Sequence, residues 1–69
     1  MENFPITVLN ILKERGKVSN LIVDKENESI VFKFLRNKTN TPLFIHLKAP
    51  STFEVLNTKT INPVDLLNN

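Results

Sequence analysis

The chain has 69 residues, nine of them Lys or Arg against seven Asp or Glu, for a formal charge of +2 and a pI near 9.2. A domain of that length hides only about 60% of its unfolded surface, and its core supplies on the order of 3–5 kcal/mol. With no Cys and a single His, disulfide staples, thiolate metal sites and a conventional zinc site within one chain are excluded, which leaves self-association or a partner as the common support for so small a core.

The positive charge is mild, far below the Lys/Arg density of a dedicated nucleic-acid binder. The start Met1-Glu2-Asn3 is not basic, and no apolar run approaches the roughly 18 residues a bilayer span needs. The expectation is a soluble, cytoplasmic protein forming one α+β domain over residues 1–69. Asn27-Glu28-Ser29 and Asn37-Lys38-Thr39 match the glycosylation sequon, which without a secretory signal is a chance match in an Asn-rich chain. Frequent Asn and Lys, scarce Arg and absent Trp and Tyr are what AT-rich codons give, and they point to a low-GC bacterium or a phage or mobile element carried by one.

In chain order, Phe4 to Arg15 places Pro5, Val8, Leu9 and Leu12 at the i, i+3, i+4, i+7 spacing of a helical stripe. Pro5 fits a first turn, where its missing N–H would have no partner anyway. Gly16, the only glycine, is read as the left-handed residue that closes the helix, with Lys13, Arg15 and Lys17 at the negative dipole end. That charge is ordinary for a helix end, attraction of an anion being the other reading.

Ser19 to Asp24 reads as a strand and Lys25-Glu26-Asn27-Glu28 as a hairpin turn, with Asn27 able to take a positive φ. Pairing Val23 with Ile30 and Leu21 with Phe32 puts all four on one face and Ile22 with Val31 on the other. The clearest pattern follows: Ile30, Phe32 and Phe34 alternate with Val31, Lys33 and Leu35, and Leu43, Ile45 and Leu47 with Phe44, His46 and Lys48. These are two arms of a hairpin with one wholly apolar face. A register pairing Phe34 with Ile45 and Phe32 with Leu47 sets Leu35 opposite Phe44, Lys33 opposite His46 and Val31 opposite Lys48. The connector Asn37 to Pro42, with Arg36 and Lys38, makes a basic tip, read as a solvated loop before phosphate contact is considered.

Ala49-Pro50 ends the third strand. Ser51 to Leu56 alternates as a fourth strand does, although Ser51 and Glu54 also have capping-box spacing; β-branched and aromatic content favours strand. Asn62-Pro63-Val64-Asp65 opens a helix, with Asn as cap and Pro in first position, and Leu66 and Leu67 anchor it. The predicted order is α-β-β-β-(β)-α: an N-terminal helix on a three- or four-stranded antiparallel sheet, then a short C-terminal helix. The α-β-β-β-α part resembles the double-stranded-RNA-binding fold in order. Asn62 to Asn69 departs from that family, being too short for its long second helix and lacking Lys or Arg, so membership is not assigned.

No catalytic constellation is legible. His46 is expected beside Lys33, which cannot orient the ring as a carboxylate does, Glu26 and Glu28 sit on a turn, and one glycine cannot build a phosphate loop. The chain is therefore not expected to be an enzyme or to hold a cofactor or metal. The second face is the candidate site. Its apolar groups Ile22, Val31, Leu35 and Phe44 suit a homodimer or another protein partner, unless the C-terminal Leu66-Leu67 segment covers them. The alternative is nucleic acid, held by Lys33, Arg36, His46 and Lys48 around Phe44 as a stacking platform.

Overall fold

The computed structural model describes residues 3–68. A helix, α1 (Phe4–Arg15), is followed by the strands β1 (Gly16–Asp24), β2 (Ser29–Arg36), β3 (Leu43–Lys48) and β4 (Thr52–Val55), and by a 3-10 turn over Pro63–Leu67. The strands form one antiparallel sheet in the order β1-β2-β3-β4. The α+β order matches the sequence reading, and the ambiguous stretch after Pro50 is a strand.

The stripe on α1 is the predicted one: Pro5, Val8, Leu9 and Leu12 are buried. Pro5 lies in the first turn, and the Thr7 N–H donates to the Asn3 carbonyl at 2.8 Å to start the helix. The end of α1 departs from expectation. Gly16 has φ 179° and ψ −158°, an extended residue that begins β1 opposite Arg36 with no loop between helix and strand. A side chain there has no room: a Cβ on Gly16 would lie 2.9 Å from Arg36 Cα and 3.0 Å from Leu35 C, with the Leu35 carbonyl oxygen closer still. Glycine is needed for close backbone approach, the second of its ordinary uses, instead of for a left-handed cap.

The core lies between α1 and one sheet face. Ile30, Phe32, Phe34, Leu43, Ile45 and Leu47 are each 3% exposed or less and pack with Val8, Leu9, Leu12 and Leu66. Burying each of these side chains contributes about 1.5–3 kcal/mol before entropy is counted. The faces are as predicted, but the register is two residues away: Phe34 faces Leu43, Phe32 faces Ile45 and Ile30 faces Leu47. A two-residue slip leaves every side chain on its face and changes every cross-strand neighbour. The observed register leaves residues 35–42 between the last paired positions, Phe34 and Leu43, and within that connector Thr39 turns back and donates its N–H and Oγ1 to the Arg36 carbonyl, at 3.3 and 3.0 Å.

β1 also differs. Val23 opposes Ile30 and Ile22 opposes Val31 as expected, but Ser19 then opposes Lys33 and Val18 opposes Phe34. Asn20 and Leu21 together face the single residue Phe32, a bulge in which Asn20 takes φ 56°, a conformation Asn tolerates better than most residues. The bulge reverses the parity of the strand. Val18, which an unbroken register would turn outward, packs against the core. Of the predicted core positions, Leu21 lies in the bulge and is 46% exposed, while Val23 keeps its place opposite Ile30 but, on the edge strand, is 54% exposed. In the following turn Glu28, not Asn27, carries the positive φ, at 52°. Asn27 instead donates its backbone N–H and its side-chain Nδ2 to the Asp24 carboxylate, at 3.2 and 2.7 Å.

At the C-terminus Asn62 caps as predicted, its side chain accepting from the Val64 N–H at 3.0 Å. The segment is a 3-10 turn, short enough for that tighter geometry. Leu66 is 2% exposed and belongs to the core cluster, with Leu67 packed against it. The turn therefore closes the helix side of the sheet and leaves the other side alone. No helix among the described residues is long and apolar enough to cross a membrane.

Candidate interaction surface

The sheet face away from α1 is built by strand alternation and can be read row by row from the register. Ile22, Val31, His46 and Glu54 share one row, and Ser19, Lys33 and Phe44 the next. Lys17 and Leu35 pair beyond them, while Asp24, Ser29, Lys48 and Thr52 form the row at the other end. The Leu56 N–H donates to the Phe44 carbonyl at 2.7 Å, which extends the β4 pairing by one residue and brings Leu56 opposite Phe44. Leu56 is 54% exposed. It is the face residue that the sequence reading passed over, although the alternation Thr52, Glu54, Leu56 carries the signal.

The four apolar candidates do share this face. Ile22 and Phe44 are exposed, at 67% and 40%, while Val31 and Leu35 are half-buried. Their neighbours are not the expected ones. Phe44 faces Lys33 instead of Leu35, and Val31 faces His46 instead of Lys48; Val31 and Leu35 stand diagonal to Phe44, still within reach of an aromatic side chain. Asn57 fixes the Phe44 backbone by accepting from its N–H at 3.0 Å and donating to the Pro42 carbonyl at 3.1 Å. The aromatic ring thus stands on an anchored strand although it lies next to a loop.

The cationic candidates divide. Lys33, His46 and Lys48 stand on the open face, but Arg36 pairs with Gly16 on the helix side, because an even position of β2 points toward the core. His46, expected beside Lys33, is flanked by Val31 and Glu54. Its Nδ1 lies 2.9 Å from Glu54 Oε1, so a carboxylate does orient the ring. The contact holds the imidazole against β4. At the end of the face, Asp24 is held below the usual carboxylate range, first by the Asn27 side-chain hydrogen bond, then by the Asn27 backbone N–H, with smaller help from the Glu26 backbone and the charge of Lys48.

No protein-family model, curated protein or solved structure matches this chain significantly.

Proposed function

We propose that the chain is a small, non-catalytic interaction module of the cytoplasm. It forms a homodimer through the open sheet face and, as a dimer, occupies the surface of a partner protein and modulates or inhibits it, in the manner of small phage-encoded regulators. One observation carries the reading: α1 and the C-terminal turn both pack on the same side, leaving Ile22, Phe44 and Leu56 uncovered on the other. Isolated exposed apolar residues are ordinary, but a group of them on one face, bordered by charge, is the composition of an interface.

A second copy suits that face. The molecule's envelope is 34 × 21 × 21 Å, so the sheet offers at most on the order of 700 Å², close to what each partner contributes to a standard interface. Both signs of charge border the apolar groups, Lys17, Lys33 and Lys48 on one hand and Asp24 and Glu54 on the other, so a two-fold related copy can meet cation with carboxylate. The nucleic-acid reading draws support from Lys33 standing opposite Phe44. It draws less from Arg36, which is across the sheet, or from His46, which is engaged by Glu54.

Light scattering at low and high salt, with and without a pool of short DNA and RNA, separates the two. The expected result is a dimer whose mass holds at high salt, ignores nucleic acid, and falls to that of a monomer in Phe44→Glu. A monomer that gains mass only with nucleic acid at low salt, and loses that gain in Lys33→Glu with Lys48→Glu, overturns the proposal, since phosphate contacts weaken steeply with salt and apolar ones do not.

A further inference from the structure

On the helix side, where α1 ends and the β2–β3 connector begins, a cleft of about 350 Å³ is lined by Glu14, Arg15, Arg36, Asn37, Lys38 and Thr39, with Leu66 at its base. We propose that this cleft binds a phosphoryl dianion, as inorganic phosphate or as the terminal group of a small phosphomonoester, between the guanidinium groups of Arg15 and Arg36.

Two independent observations lead there. The fold brings three cations, Arg15, Arg36 and Lys38, to one cleft with a single carboxylate, Glu14, and no ion pair within 4 Å joins any of them to an acid among the described residues. Like charges gathered without a counter-ion repel, and the fold maintains the arrangement through contacts that do not neutralise it: the Asn37 N–H donates to the Arg15 carbonyl at 3.1 Å, and Thr39 donates to the Arg36 carbonyl. Separately, the Nε atoms of both Arg15 and Arg36 are shut off from solvent with no hydrogen-bond partner. Buried donors are nearly always paired, so two orphans on guanidinium groups that line one cleft mark an arrangement completed by something else.

The chemistry selects an oxyanion. A guanidinium presents its donors as a fork that matches two oxygens of one phosphoryl group, and two such forks with an ammonium nearby match its charge and its tetrahedral set of acceptors. Both arginine residues are half-buried, so their side chains reach the cleft while their Nε atoms are covered. An arriving anion meets the outer nitrogens first, and side-on capture requires each guanidinium to turn about its last torsions. Relief of the two orphan donors favours that turn. The negative end of α1 opposes an anion, but by less than one charge-assisted hydrogen bond contributes. The site is independent of the dimer face, which lies across the sheet.

The test follows the arginine Nε–Hε signals by nitrogen-15 NMR while inorganic phosphate, and in a parallel arm a nucleoside monophosphate, is titrated at ionic strength matched with sodium chloride. Saturable shifts of the Arg15 and Arg36 signals are expected, with the dissociation constant rising at least about tenfold in Arg15→Gln and in Arg36→Gln, and about threefold in Lys38→Gln, which is exposed and leaves the fold intact. Equal or tighter binding of the nucleoside monophosphate assigns the ester, and binding of phosphate alone assigns the free ion. Signals that move no more than in chloride, or shifts that persist unchanged in Lys38→Gln and in both arginine variants, overturn the proposal.

Discussion

Gly16→Ala is the sharpest test of how helix and sheet are joined. The alanine methyl would meet Arg36 Cα at 2.9 Å and Leu35 C at 3.0 Å, and the Leu35 carbonyl oxygen more closely. All three are backbone atoms of the central strand β2, so no side-chain rotation relieves the overlap. Either β1 withdraws, which breaks the Gly16–Arg36 pairing and lifts Val18 from the core, or β2 shifts and carries Phe34 with it. Forced shifts of this kind cost about 1–3 kcal/mol, and in a domain of this size each kcal/mol moves the melting temperature by about 4–8 °C. Circular dichroism melts should show Gly16→Ala lowered by at least about 5 °C, and Gly16→Asn lowered by as much or more. The asparagine variant is the discriminating one. Asn tolerates the left-handed conformation, so a Gly16 that acted as a left-handed cap would survive that change with little loss. An alanine variant within about 2 °C of the parent, or an asparagine variant clearly more stable than the alanine one, would refute the close-approach argument.

Core and surface on α1 should separate cleanly: Leu12→Ala removes a fully buried side chain and is expected to lose about 2–5 kcal/mol, whereas Ile6→Ala, at an exposed position, should stay within about 0.5 kcal/mol in urea titrations. The same contrast at the C-terminus, Leu66→Ala against Val64→Ala, checks that the 3-10 turn belongs to the core; equal losses would mean it does not. Asn57→Ala removes two hydrogen bonds to the β3 entrance and should cost about 1 kcal/mol or more, read as faster amide exchange at Phe44. Asp24 gives a pH dependence whose sign is set by its depressed folded-state titration. Its stabilising contribution is present above the unfolded carboxylate range and is lost as pH falls through and below about 4, so the stability gap between the parent and Asp24→Ala should be constant near neutrality and close in acid. A gap that widens on acidification contradicts that sign.

Much of this molecule is legible without its tertiary structure because its two periodicities are strong. The 3.6-residue stripe Pro5, Val8, Leu9, Leu12 and the two-residue alternation from Ile30 to Phe34 and from Leu43 to Leu47 each identify a buried face from composition alone, and Asn62-Pro63 announces a helical start through cap chemistry that is local. The candidate surface was legible to the same extent, since the alternation that buries Phe32 and Ile45 necessarily turns Val31 and Phe44 outward. Periodicity carries no information about which residue stands opposite which, because a two-residue slip preserves every face. The assembled sheet set the register: β2 gave Phe44 a lysine and His46 a valine as neighbours, and β4 gave His46 its glutamate.

The remaining differences share a cause. An inserted residue reverses the parity of a strand, and nothing local distinguishes Asn20 in a bulge from Asn20 in a regular strand; only the competition between Val18 and Leu21 for the space beside the core decides it. Gly16 likewise has two ordinary uses, and the arrival of Leu35 and Arg36 from a distant part of the chain selects close approach over a left-handed cap. Arg15 and Arg36 are twenty-one residues apart in the sequence and meet because a helix end and a strand end pack together. Local chemistry determined the elements and the faces of α1, β2 and β3, while partners, the parity of β1 and the gathering of charge required the assembled fold, because they depend on atoms brought together by packing.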